Sequence, residues 1–210
     1  MSKKTIITIA RQYGSGGQEI GEKIAKALDV PFYDKELISL AAKESGLSEE
    51  LFQKVDERAT NSLLYSLMMG SFSYGGRVAT ANELPINDKL FLFQADIIKK
   101  AANEGPCVIV GRCADYILRE FSNVLNVFIY ADKEYRIQRA IEKYGVDPSR
   151  ANDVLTKKDK QRANYYNFYT NRRWDNLDNY GLSVSSSIFG PEKTAELIME
   201  AADTLEKLAK

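Results

Sequence analysis

Apolar and polar positions recur along this chain with two periods, and each period marks an element. Thr5–Ala10 is a continuous β-branched apolar run, the pattern of a strand buried on both faces. The turn Gly14-Ser15-Gly16-Gly17 follows. A 3.6-residue pattern then predicts a helix over about Gly17–Leu28, with Ile20, Ile24, Ala27 and Leu28 on one face and Glu19, Glu22, Lys23 and Lys26 on the other. Pro31–Asp34 predicts a short second strand, and helices are predicted over Lys35–Glu44 and Glu49–Arg58. Thr60–Pro85 has little period and contains Gly70, Gly75 and Gly76, so it reads as a mobile loop or insertion, placed at 59–86. Asp88–Asn103 predicts an amphipathic helix, Cys107–Val110 a third strand and Val124–Ala131 a fourth. Asp132 opens a helix to Tyr144, Leu182–Ser185 is a fifth strand, and Pro191 stands in the first turn of a closing helix to Lys210. Short apolar strands separated by helices predict an α/β fold, a parallel five-stranded sheet flanked by helices, in a single domain over 1–210. Ligands of such sheets bind beyond the carboxyl ends of the strands.

Composition narrows the chemistry. Lys plus Arg and Asp plus Glu each number 29, so the net charge is zero and a basic field for a nucleic acid polymer is not expected. There is no histidine, which excludes His-based hydrolytic triads, HExxH zinc chemistry and histidine acid–base catalysis. The two cysteines, Cys107 and Cys113, make no disulfide framework, and Cys107 reads as a small core residue. No apolar run approaches the roughly 20 residues of a membrane span, and no signal-peptide pattern precedes Thr5, so neither a membrane partner nor export is expected and the cytoplasm is the expected location.

The candidate site lies at the strand ends. A strand, a glycine turn and a helix bind phosphate through backbone amides and the partial positive charge of the helix N-terminus. Gly14, Ser15, Gly16, Gly17, Gln18 and Glu19 are the candidates for this cradle. The P-loop pattern G-x-x-x-x-G-K-[ST] is incomplete: with Gly16 as its second glycine, the lysine position holds Gly17 and the hydroxyl position Gln18. Arg11 follows strand one, Tyr33-Asp34-Lys35 strand two, Gly111-Arg112-Cys113-Ala114-Asp115 strand three and Asp132 strand four. Asp34 reads either as a cleft carboxylate or as a helix cap, and Asp132 as a cap. Arg136 and Arg139 share a helical face at i, i+3, and so could Asp159 and Arg162. Lys157–Lys160 is either a solvated face or part of a basic site. Tyr165, Tyr166, Phe168, Tyr169 and Trp174 either stack a base or pack a helix onto the domain.

The segments ARQYGSGGQEIG, VPFYDKELI, CVIVGRCADYIL and DKQR, in this order over roughly residues 5–190, resemble the nucleoside monophosphate kinases, and most closely the cytidylate kinase-like proteins. The resemblance implies a P-loop kinase-like fold with a helical insertion and a lid over 145–178, ATP and Mg²⁺ as cofactors, and transfer of the ATP γ-phosphate to CMP, dCMP or another small phosphate acceptor. Tyr33, Asp34, Lys35, Arg112 and Asp115 then fall on the acceptor side. Asp159 and Arg162 match the last two positions of the family's lid motif, where the first arginine is here Leu155. Cys113 stands in place of an aspartate, and Tyr33-Asp34-Lys35 lacks the Thr-Gly that follows in cytidylate kinases. Arg11 is the expected substitute for the missing lysine, as a bidentate donor at the transferred phosphoryl. Ser15, or a water on Asp34, is the candidate for the missing Mg²⁺ hydroxyl; the metal ligands are otherwise unassigned.

Two other classes stay open. One is a catalytically silent nucleotide sensor on the same fold. The other is a dinucleotide-binding protein, since Gly14-Ser15-Gly16-Gly17-Gln18 begins as G-x-G-x-x and Asp34 stands where a ribose-binding acid would, although Glu19 holds the third glycine's place. Leu63, Leu64, Tyr65, Leu67 and Met68 are the candidates for pairing two chains in a homodimer.

Overall fold

The computed structural model describes residues 4–34 and 86–208. Its elements are β1 (Ile6–Arg11), α1 (Gly17–Leu28), β2 (Phe32–Tyr33), α2 (Ile86–Glu104), β3 (Val108–Val110), α3 (Ala114–Ile117), β4 (Val124–Tyr130), α4 (Lys133–Tyr144), α5 (Ala151–Thr170), β5 (Leu182–Ser185) and α6 (Ser186–Leu208). The strands form one parallel sheet in the order β2-β3-β1-β4-β5, with Ile7 opposite both Val108 and Leu125 and Ile9 opposite both Val110 and Val127. The five strands expected from the apolar runs are all present, each within a residue or two of its predicted ends.

β1 lies at the centre, and the alternation of its side chains divides the core in two. Ile6 and Ala10 point to the face covered by α2, α3 and α5, where they meet Ile98, Leu118, Phe128, Tyr165, Tyr169 and Trp174. Ile7 and Ile9 point to the other face, against Ile20, Ile24 and Leu28 of α1 and Ile198 and Ala202 of α6. Each of these isoleucines is fully buried, and burial of such a side chain contributes about 1.5–3 kcal/mol. The central strand is thereby fixed from both sides, and with it the position of the residues at its carboxyl end.

Two details of the helices differ from expectation. Ala27 is exposed and Ala25 is buried in its place, because the face of α1 that meets the sheet runs through Gly17, Ile20, Gly21, Ile24, Ala25 and Leu28. The closing helix begins with an extra turn at Ser186, broken at Gly190 (φ 71°, ψ 166°), and Pro191 starts the longer piece as expected. Asp132 takes the N-cap position of α4, but no side-chain cap bond forms there; its carboxylate accepts from the Ser187 hydroxyl at 3.1 Å.

The aromatic series resolves as core. Tyr165, Tyr166, Tyr169 and Trp174 are buried, and the rings of Phe91 and Tyr169 stack with centroids 4.1 Å apart and planes 5° from parallel. Lys157, Lys158 and Lys160, earlier in α5, are exposed, so the charge run is a solvated face. Cys107 and Cys113 are buried and form no disulfide, and burial pushes the Cys107 thiol up to about 12. Among the described residues no helix is long and apolar enough to cross a membrane. The predicted helices Lys35–Glu44 and Glu49–Arg58, the insertion at 59–86 up to Pro85, the residues proposed to pair chains and Lys35 itself lie outside the described residues.

Candidate active site

Residues 12–16 join β1 to α1 as a turn held from the β4 side. The Gln12 amide donates to the Ile129 carbonyl at 3.0 Å, and the Gln12 side chain accepts from the Ala131 amide at 3.2 Å. The Ser15 hydroxyl donates to the Gln12 carbonyl at 2.9 Å, and the Ser186 hydroxyl donates to the Ser15 carbonyl at 2.6 Å. Ser15 is fully buried. Its hydroxyl closes the turn, which gives it a structural task there. Gly14 has φ 82°, and a Cβ there would stand 2.7 Å from the Arg136 carbonyl. Gly16, also left-handed at φ 79°, is the N-cap of α1, and a Cβ on it would meet the Arg139 guanidinium at 3.2 Å. The Arg139 guanidinium thus lies over the N-terminus of α1, whose first-turn amides have no intrahelical acceptors, and the Arg136 backbone lies over Gly14.

These arginines tie the turn to α1 and α5. Arg139 donates to Glu19 at 2.7 Å. Arg136 donates to the Tyr13 carbonyl at 3.2 Å and to the Asp159 carboxylate. Asp159 also accepts from the Tyr13 amide at 2.7 Å, and Arg162 donates to the Arg11 carbonyl at 3.1 Å. The Arg162 guanidinium lies 5.8 Å from the Tyr13 ring centroid. Asp159 and Arg162, three residues apart on α5, thus grip the backbone at the root of the glycine turn. Gln18, by contrast, is exposed and its side chain donates to Glu22 at 3.1 Å.

The other half of the site lies beyond β3 and β2. Gly111, Arg112 and Cys113 are all left-handed, with φ of 78°, 58° and 55°. Two successive non-glycine residues in this region are strained, of the order of 1–2 kcal/mol each. The turn holds Arg112 buried at the strand end, 6% exposed. Burial pushes its guanidinium below the usual range, and the neighbouring Arg11 charge acts in the same direction. Arg11 reaches Asp34, Nη2 to Oδ1, at 3.8 Å, and Asp34 is itself buried. Asp115 accepts from the Tyr166 hydroxyl at 2.6 Å; burial raises its carboxyl, and the tyrosine bond opposes that rise. Arg11, Arg112, Asp115, Arg162, Tyr166 and Trp174 line one cavity. Tyr33 is half-buried and packs against the core, with its hydroxyl raised by burial.

The expected residues therefore fall into two groups flanking β1. Gly14–Gly17, Glu19 and Asp159 form the turn and its cover, while Arg11, Asp34, Arg112 and Asp115 converge beyond β3 and β2, with Arg162 between. Arg136 Nε and Arg139 Nε are buried without a hydrogen-bond partner, and a phosphate oxygen would supply one; a phosphate at Gly16 would have to displace the Arg139 guanidinium that stands there. Among the described residues no group of three or more His, Cys, Asp or Glu is placed to hold a metal ion; Mg²⁺ at a nucleotide site takes only one or two protein carboxylates beside the phosphates, and Asp34 is a buried carboxylate at the strand ends. The dinucleotide alternative fares poorly, because Glu19, at its third glycine, is committed to Arg139. The sequence paired Arg136 with Arg139 but did not seat them on the glycines; it marked Tyr166 only as one of the aromatic series, without its bond to Asp115, and it missed Ser186 altogether. The i, i+3 spacing was the available signal for the arginines; nothing local marks Ser186.

The sequence pattern of the cytidylate kinase-like family matches residues 6–188. Among solved structures, an uncharacterized protein from Eubacterium ventriosum is 27% identical, with 95% of this chain and 99% of that chain covered and a TM-score of 0.71. A shikimate kinase from Bacteroides thetaiotaomicron is 15% identical, with 95% and 99% covered and a TM-score of 0.54. A gluconokinase from Sinorhizobium meliloti is 16% identical, with 100% and 95% covered and a TM-score of 0.53. None of the curated proteins is significantly similar in sequence.

Proposed function

The chain belongs to the cytidylate kinase-like family, and from that premise we propose that it is an ATP-dependent phosphotransferase. It would move the γ-phosphoryl of ATP to a nucleoside monophosphate, CMP or dCMP first, or to another small phosphate acceptor, in the cytoplasm. The observation that carries this reading is the glycine turn between β1 and α1, overlain by Arg136 and Arg139 and bordered by the cavity of Arg11, Arg112 and Arg162.

Phosphoryl transfer asks little covalent chemistry of the protein, so a chain without histidine can perform it by position and electrostatics. In this reading the α1 N-terminus and the turn amides hold the donor phosphates, with the α4 arginines supplying charge from above. Arg162, on the lid helix, faces the transferred group and helps exclude water. Arg112 binds the acceptor, and Asp34 orients it. Asp159 acts on the turn through Tyr13 and Arg136. Mg²⁺ bound with the nucleotide would supply further neutralisation of phosphate charge. A panel of monophosphates and small hydroxy acids, each with ATP and Mg²⁺, tests the proposal by acceptor-dependent ADP release.

The second reading is a silent nucleotide sensor. It draws on Gly17 at the lysine position and on the commitment of the covering arginines to Glu19 and Asp159. ATP binding with no ADP release from any acceptor would favour it.

A further inference from the structure

Arg11 is the expected stand-in for the missing lysine on the donor phosphates, but its side chain runs the other way. β1 divides the carboxyl edge of the sheet, with β4 and β5 to one side and β3 and β2 to the other. The glycine turn is held from the β4 side, by Ile129, Ala131, Arg136 and Arg139, and by Ser186 beyond β5. Arg11 leaves toward β3. Its Cβ and Cγ lie 2.6 and 2.8 Å from where a Gly17 Cβ would stand. Its guanidinium fills the place of a Gly111 Cβ, and its Nη2 ends 3.8 Å from Asp34. Two glycines on different elements thus form a slot for this one side chain. Gly17 is also the position a loop lysine would hold, so a side chain there and the stem of Arg11 exclude each other.

We propose that Arg11 is an acceptor-binding residue, which forms with Arg112 a two-guanidinium fork for an oxyanion of the acceptor, phosphate or carboxylate. The charge at the donor phosphates then comes from Arg136 and Arg139. The left-handed turn at Arg112 and the slot around Arg11 bring both guanidinium groups to one cavity, with Asp34 beside Arg11. The inference rests on the phosphotransferase reading only for the word acceptor; the oxyanion site stands on its own geometry.

The chain's single tryptophan, Trp174, lines the same cavity and reports on its occupancy. Inorganic phosphate, and separately acetate, is titrated against Trp174 fluorescence in the full chain, both free and saturated with AMP-PNP and Mg²⁺. The affinity for AMP-PNP is measured alongside. The expected result is saturable binding of at least one oxyanion, weakened about tenfold or more in Arg11→Gln, with AMP-PNP affinity within about twofold of wild type. The phosphate and acetate arms distinguish a phosphorylated from a carboxylate acceptor. Arg11→Lys, which keeps the charge and loses the fork, should fall between, and it serves as the test if Arg11→Gln does not fold. Loss of AMP-PNP binding in the variant with oxyanion binding intact overturns the proposal, and so does wild type that binds neither oxyanion. Arg11-dependent oxyanion binding in a protein that binds no AMP-PNP supports the site and sinks the phosphotransferase reading instead.

Discussion

The two flanks of β1 build their positive charge in different ways. On the β4 side the arginines come from a helix, and they reach the glycine turn through partners far away in sequence: Arg139 meets Glu19, and Arg136 meets Asp159 and Tyr13. On the β3 side they come from the strand ends themselves, Arg11 directly after the apolar run of β1 and Arg112 inside a left-handed turn. The first arrangement depends on α5, to which Asp159 and Arg162 belong. The second is anchored in the sheet. In the proposed phosphotransferase the first would hold the donor and the second the acceptor.

The turn is where a single change should separate the flanks most strongly. Gly16→Val places a branched side chain at φ 79° against the Arg139 guanidinium. Saturating ATP–Mg²⁺, at about 100 times its dissociation constant, should stabilise wild type by about 2.7 kcal/mol and the variant not at all, because a branched side chain at this φ displaces Arg139 and distorts the turn that would hold the phosphates. Thermal melting with and without nucleotide reads this directly. An unshifted wild-type melting temperature would defeat the donor-side assignment.

The next largest effects divide the arginines by kinetic parameter. Arg162→Ala should lower kcat by about 10²-fold, near 2.7 kcal/mol of transition-state stabilisation, with ATP affinity changed less. Arg112→Ala should raise the acceptor KM while kcat for bound substrate falls less. Varying one substrate at a time separates the two. Equal losses in both parameters for both variants would mean that the flanks do not work separately.

How far this division was legible in the sequence follows from the same contrast. Residues at strand ends are placed by local pattern. Once Thr5–Ala10 and Cys107–Val110 read as buried parallel strands, Arg11 and Arg112 had to emerge at the carboxyl edge. The direction of Arg11 was not legible, because it depends on two absent Cβ atoms, at Gly17 and Gly111, that belong to other elements. The α4 arginines were visible as a pair through their i, i+3 spacing, but their target lies across the fold. Asp159 matched the lid pattern by resemblance, and its bond to the Tyr13 amide, which ties it to the turn, was not legible. The aromatic series carried two readings that composition cannot separate. Burial against Phe91 and Phe128 decides between them.

A smaller effect tests the lid clasp. Asp159→Asn keeps an oxygen for the Tyr13 amide and removes the charge that faces Arg136. Both groups are largely shielded from solvent, so the loss should exceed that of a surface pair, near 1–2 kcal/mol. The ATP KM should rise by about three- to tenfold, with faster hydrogen exchange at the turn amides. An unchanged ATP KM with normal exchange would make the clasp incidental.

The smallest expected effect lies under the acceptor flank, in the pair Tyr166–Asp115. Burial raises the Asp115 carboxyl above its unfolded value, and the hydrogen bond from Tyr166 partly offsets that rise. For a carboxyl raised in the folded state, the unfolded chain loses its proton first as pH increases. Stability is therefore undiminished below the unfolded carboxyl pKa, falls as pH climbs between the unfolded and folded values, and then levels off. Tyr166→Phe removes the opposing bond, so the folded value moves further up and the pH window of falling stability lengthens. The variant should lose about 1 kcal/mol more than wild type between pH 4 and pH 8, the size of one typical hydrogen bond. Urea unfolding midpoints at a series of pH values measure the difference. Asp115→Asn in the Tyr166→Phe background should flatten it, since the titrating group is then gone. If the double variant keeps the steeper pH dependence, the extra loss comes from another buried group and Asp115 stays ionised in the fold.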